Sequence, residues 1–209
     1  MTKSRAKWLK DRRGGKGRPV QRRTMLMHTQ AELKKWQSKA AEILTTNDYQ
    51  LLGAQPGSGK TITALTALIQ KRWRTLLVAP SIILDNVWSQ EAADWDHTQH
   101  LRFDMAHRLS GHDRAQLWFY GEGDIVTCTP DTLVKLLDEV HNRGRIPVER
   151  IVVDESQFFK NASATRTAAL HALAEHVPTW LLSGTPTPNG LIDCWSPGRI
   201  ISAQGAFWQ

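Results

Sequence analysis

Ala54-Gln55-Pro56-Gly57-Ser58-Gly59-Lys60-Thr61 lies between a short apolar run and an amphipathic one, and the fold of the 209-residue chain turns on how it is read. Gly57 and Gly59 let the backbone curl, so that in the cradle of Pro56, Gly57, Ser58 and Gly59 the N–H groups that follow Pro56 face phosphate oxygens. A helix beginning where the cradle ends adds the positive end of its dipole. Lys60 then reaches the β and γ phosphates, and Thr61 carries the hydroxyl that such loops place on magnesium. The general pattern has glycine six positions before the lysine, where this chain has Ala54. Taken alone, the residues leave a glycine-rich surface turn with a solvated lysine as the alternative.

The flanks narrow that choice. Residues 49–54 are apolar and run straight into the loop, the pattern of a buried parallel strand. Ile62, Leu65, Leu68 and Ile69 follow at helical spacing. Strand, loop and helix therefore occur in the order a phosphate loop requires. Residues 75–80 predict a second buried strand, and residues 83–95 a helix with Val87, Trp88 and Trp95 inward. A third strand is expected over 103–109, a short helix over 115–120, a fourth strand over 124–128, and a helix over 132–140 capped by Asp131. Residues 165–174 predict a helix and 179–182 a last strand. Such alternation means crossover units and an α/β fold, a mostly parallel sheet with helices on both faces, with ligands at the strands' carboxyl ends.

Arg150-Ile-Val-Val-Asp-Glu-Ser156 places two carboxylates just past one such apolar run. Asp154 suits a magnesium ion, which takes hard oxygen ligands, and Glu155 can orient or deprotonate an attacking water. A solvated acidic turn is the bland reading of the same pair. Ser183-Gly-Thr-Pro-Thr-Pro-Asn189 follows the last strand, a hydroxyl-rich turn stiffened by two prolines and suited to touch a nucleotide site. Ahead of the loop, a helix from about Thr29 to Leu44 would turn Leu33, Trp36, Ala40, Ile43 and Leu44 to one face. Gln37 on that helix is either an amide available to an adenine edge or an ordinary surface residue.

The net charge is +7, but it is unevenly spread: residues 1–23 hold ten Lys or Arg against Asp11 alone, a balance of +9, which leaves −2 for residues 24–209. Residues 1–28 read as a disordered basic arm, either a phosphate-binding strand without sequence preference or a solubilising tail. Cys128 and Cys194 are the two cysteines and form no Cys-x-x-Cys pattern, so neither a disulfide framework nor a structural zinc is indicated, and a reducing cytoplasm fits. No run of 18 uncharged apolar residues occurs and the basic amino terminus is not a signal peptide, so no membrane partner is expected.

With these pieces in order, the chain resembles the first RecA-like lobe of helicase superfamily two, and most of all the Swi/Snf-type DNA translocases, over residues 33–195. Leu33-Lys-Lys-Trp-Gln37 resembles the family's adenine-reading element, and residues 54–61 its first motif, in which alanine commonly replaces the leading glycine. Ala79-Pro80-Ser81 and residues 127–133, including Thr129 and Pro130, resemble the loops that touch the nucleic-acid backbone. Val153-Asp154-Glu155 with Lys160, Asn161 and Arg166 resembles Walker B, and Ser183-Gly184-Thr185-Pro186 resembles motif three. Ser156-Gln157 departs from the alanine and histidine more usual there, although Gln157 can still hydrogen-bond.

The resemblance implies a three-layer RecA-like P-loop NTPase lobe over residues 29–209, with ATP and magnesium as cofactors and DNA, in duplex form, as partner. It implies Lys60, Asp154 and Glu155 as catalytic, Gln37, residues 56–61 and Gln157 around the nucleotide, Thr61 and Asp154 on the metal, and Ser183, Gly184 and Thr185 as the coupling motif. The family's second lobe, which brings an arginine finger worth roughly 10³ to 10⁵ in turnover, is expected from elsewhere, so this lobe alone should hydrolyse ATP weakly. A nucleotide-gated binding module without turnover and a small P-loop kinase are the competing classes. The kinase is disfavoured because nothing resembles an arginine-rich lid.

Overall fold

The computed structural model describes residues 27–161, 163–184 and 195–201. Six strands form one sheet: β1 (Gln50–Gly53), β2 (Thr75–Val78), β3 (Phe103–Asp104), β4 (Ile125–Cys128), β5 (Arg150–Val153) and β6 (Thr179–Ser183). Their order is β1-β6-β5-β2-β4-β3, and every neighbouring pair is parallel. The helices between them are α1 (Lys35–Thr46), α2 (Lys60–Lys71), α3 (Ser81–Asn86), α4 (Trp88–Asp94), α5 (Gly111–Tyr120), α6 (Leu133–Arg143), α7 (Thr165–Ala174) and, after β6, α8 (Trp195–Ile201).

Side-chain alternation along the strands makes this a three-layer structure. Leu76, Val78, Ile151, Val153 and Leu181 enter one core, packed beneath α5, α6 and α7. Leu77, Val152, Trp180 and Leu182 enter the other, beneath α1, α2, α3 and α4. The central strands β2, β4, β5 and β6 are buried at every position, which explains why they read as unbroken apolar runs. The α/β architecture expected from the alternating elements is therefore the one present. No helix among the described residues is long and apolar enough to cross a membrane.

Several local expectations are corrected. The first helix starts at Lys35, after a 3-10 turn over Gln30–Glu32, and it buries Gln37, Ala41 and Leu44 rather than the face holding Trp36 and Ile43, which are 37% and 39% exposed. The buried stripe is rotated because Gln37 satisfies its amide on the neighbouring loop, leaving the larger Trp36 outside. The helix expected over 83–95 is two helices meeting at Val87, whose φ of −114° and ψ of −64° break the regular turn and leave its side chain 38% exposed. β3 stops at Asp104, and residues 106–108 curl into a 3-10 turn. Asp131 does not cap α6, whose N-cap is Thr132 without a side-chain cap bond; Thr129 caps the preceding 3-10 turn over Pro130–Thr132, its hydroxyl accepting from Thr132 N, while the exposed Asp131 carboxylate pairs with Arg166 at 3.5 Å. His28 lies at the end of the basic segment and is tied to the fold, donating its N–H to Asp94 O at 2.8 Å and accepting from Asp96 N at 2.9 Å.

Candidate nucleotide site and nucleic-acid edge

The candidate loops and carboxylates among the described residues lie where the parallel strands end. The loop after β1 enters α2 through two left-handed glycines, Gly57 at φ 73° and Gly59 at φ 92°. Side chains rarely adopt that region, and at Gly59 a Cβ would also overlap the Gln37 amide. Gln37 is only 5% exposed. Its Oε1 accepts from Lys34 N at 2.7 Å and its Nε2 donates to Ser58 O at 3.2 Å, so the helix ahead of the sheet is fastened to the loop. The reading of Gln37 as an ordinary surface residue does not hold.

Lys60 opens α2 and folds back over its own loop, donating from Nζ to Ala54 O at 2.8 Å and Gln55 O at 3.2 Å. Among the described residues the N–H groups of Lys60, Thr61 and Ile62 meet no backbone acceptor, as in any first helical turn. The Ser58 hydroxyl is buried with no hydrogen-bond partner. Unclaimed donors, a buried orphan hydroxyl and an ammonium bridging two loop carbonyls are a donor set that fits a polyphosphate. The Thr61 hydroxyl makes no hydrogen bond among the described residues and, with Asp154, offers the oxygen ligands that magnesium takes alongside phosphates.

The carboxylates after β5 stand in different environments. Asp154 is 7% exposed. Its Oδ2 accepts from the buried indole Nε1 of Trp88 at 2.9 Å and its Oδ1 from Glu155 N at 2.9 Å. Burial pushes its carboxyl above the usual range, opposed by those two hydrogen bonds and, more weakly, by the charge of Lys60. Helical spacing placed Trp88 inward, and 66 positions of separation gave no hint of its bond to Asp154. Glu155 adopts φ 53° and ψ 55°, one of two non-glycine residues with positive φ among those described. Such backbone strain clusters at functional sites.

A short polar chain joins this corner to β6. Gln157 donates from Nε2 to Glu155 Oε2 at 2.6 Å, and Ser183 Oγ donates to Gln157 Oε1 at 3.3 Å. Ser183 O accepts from Ala54 N at 3.1 Å, and a Cβ on Gly184 would stand 3.1 Å from Pro56. The structure thus brings the loop after β1, the pair after β5 and the start of the Ser183 turn together. Thr185 lies outside the described residues, as do residues 1–26 of the basic arm.

The second set of candidates occupies the other half of the edge. Pro80 precedes α3 with Ser81 exposed at its start, after β2. Thr129 and Pro130 follow β4; the Thr129 hydroxyl is taken up by Thr132 and Pro130 is buried, so Pro130 presents little surface of its own. Because the sheet order is β1-β6-β5-β2-β4-β3, the phosphate-type loop, carboxylates and Ser183 share one half, and the Pro80 and Thr129 loops share the other.

Fold and site together define an α/β lobe of the RecA-like kind built on a phosphate-type loop. The chain belongs to the SNF2-related domain family, whose match spans residues 19–198. It is 32% identical over 159 residues to protein p41 of Acyrthosiphon pisum secondary endosymbiont phage 1, covering 69% of this chain and 34% of the relative. It is also 32% identical over 161 residues to the bovine (Bos taurus) SWI/SNF-related matrix-associated actin-dependent regulator of chromatin subfamily A-like protein 1, covering 76% of this chain and 16% of that protein. The chain thus spans about a third and a sixth of these two relatives. Among solved structures it is similar in fold to the Sulfolobus solfataricus SWI2/SNF2 ATPase core in complex with dsDNA, with a TM-score of 0.64 and 22% identity, over 85% of this chain and 37% of that one.

Proposed function

We propose that this chain is the ATP-binding lobe of a DNA-dependent ATPase that couples hydrolysis to movement along duplex DNA inside the cell. The observation that carries the reading is the hydrogen-bonded path from Glu155 through Gln157 to Ser183, set beside the Lys60 loop. Lys60 and the α2 amides hold the phosphates, and Gln37 borders the adenine. Thr61 and Asp154 hold magnesium, which supplies charge neutralisation at the phosphates. Glu155 orients the attacking water and accepts its proton. Gln157 and Ser183, with Gly184 and Thr185, transmit the state of the nucleotide. Pro80, Ser81 and the Thr129 loop meet the nucleic-acid backbone, and the basic arm adds phosphate contacts without sequence preference. Support for a duplex comes from the Sulfolobus relative, which was solved in complex with dsDNA. A second RecA-like lobe, in the same protein or on a separate chain, completes the site.

Titration with a fluorescent ATP analogue and DNA-stimulated ATPase, measured with a second lobe supplied, test this. Lys60→Ala should weaken nucleotide binding at least about tenfold, and Glu155→Gln should bind nucleotide yet lose roughly 10² to 10⁴ in turnover. If both variants keep full DNA-stimulated turnover, the assignment fails. Stable ATP binding with no DNA stimulation under any condition would point to a nucleotide-gated binding module instead.

A further inference from the structure

Trp88 opens α4 and is fully buried, in the same core as Leu77, Ala79 and Leu84. A buried indole needs an acceptor for its N–H. Two more tryptophans are fully buried, and both donate to main-chain carbonyls, Trp118 to Thr127 O at 3.2 Å and Trp180 to Asn47 O at 3.0 Å. Trp88 differs. Its Nε1 donates to the Asp154 carboxylate at 2.9 Å, across 66 positions of sequence and from a different layer of the fold.

The hydrogen bonds on that carboxylate are unequal as anchors. Oδ1 accepts from Glu155 N at 2.9 Å, a local contact from the next residue, whereas Oδ2 is held by a ring that close packing keeps in one rotamer. The Asp154 main chain is itself fixed, its N–H donating to Val78 O at 2.8 Å, so the indole settles the rotation of the carboxylate. An indole only donates and carries no charge. It therefore orients the carboxylate without neutralising it, and each oxygen keeps a second lone pair for a further ligand. We infer that Trp88 is a positioning residue for the metal site, its N–H fixing the orientation in which Asp154 meets magnesium. This rests on the proposed place of Thr61 and Asp154 at the metal.

Fluorescent-ATP titrations of the full chain with magnesium and with EDTA test it, the readout being the ratio of the two affinities. Trp88→benzothienylalanine, an isostere with sulfur in place of the N–H, removes the bond and leaves the slot filled. It should cut the ratio about tenfold, the effect of losing a partner that orients a metal ligand, and leave the magnesium-free affinity within about twofold. Trp88→Phe should lower the ratio alike, at a reduced melting temperature. Asp154→Asn probes the underlying reading and should remove most of the ratio. If Asp154→Asn lowers the ratio while the isostere leaves it unchanged, or lowers both affinities equally, Trp88 only packs: the inference is overturned and the metal site stands. If Asp154→Asn leaves the ratio unchanged, the metal site itself is misassigned and the inference falls with it.

Discussion

Glu155 accepts a hydrogen bond from Gln157 two residues later at 2.6 Å, and the other end of that amide is held by Ser183 at the tip of β6. An amide is suited to the middle position because it donates on one side and accepts on the other. The side chain proposed to activate water is therefore connected to the turn proposed to sense its loss.

Breaking the middle of this chain should separate binding from turnover. Gln157→Ala is expected to leave fluorescent-ATP affinity within about threefold and to lower DNA-stimulated turnover about tenfold, the effect of one hydrogen bond to a charged group. Gln157→His, which can still bridge, should recover part of it. Equal losses in affinity and turnover would assign Gln157 to nucleotide binding alone.

The two glycines of the loop should respond differently. A Cβ at Gly57 meets nothing within 4 Å, so Gly57→Ala costs only the left-handed strain of about 1–2 kcal/mol. Gly59→Ala adds displacement of the Gln37 amide, so it should also erode discrimination of ATP from GTP. Parallel ATP and GTP titrations of the two variants provide the comparison.

Arg150 is a buried cation held by packing more than by charge. It is 1% exposed, lies over Trp73 at 4.0 Å and Trp180 at 4.6 Å, and donates to Asp48 O at 2.7 Å. Arg150→Ala should destabilise by about 2–5 kcal/mol in urea unfolding because it empties the slot between two indoles. Arg150→Met fills the slot without desolvating a charge and should lose less than about 1.5 kcal/mol.

Cys128 is fully buried, and burial pushes its thiol up to about 12 from an ordinary value of 9.0. In a Cys194→Ser background, the folded chain should therefore resist thiol reagents at pH 8 and react on unfolding. Below about pH 9 both states keep the proton, and the thiol adds no pH dependence. Between about 9 and 12 the unfolded chain releases it and the folded one does not, so stability falls as pH rises. Cys128→Ala should flatten that decline in urea midpoints collected across the range.

Local sequence determined the elements whose signal is local. Apolar runs bounded by glycine or proline identified the strands, since the central ones are buried on both faces. The spacing Gly57, Gly59, Lys60 located the phosphate-type loop because curling and helix initiation need those residue types in that order. Tertiary structure alone decided which elements are neighbours. Sheet order divides the strand ends into two groups, and it connects Trp88 to Asp154, Gln157 to Ser183 and His107 to Asp85 and Thr127 across 20 to 66 positions. It also turned the first helix so that Gln37, not Trp36, faces the loop, and it put a 3-10 turn capped by Thr129 ahead of α6, with Asp131 inside that turn rather than at the cap. Hydrogen bonds between residues far apart in sequence follow from which strands lie side by side, and periodicity within one segment carries no record of that choice.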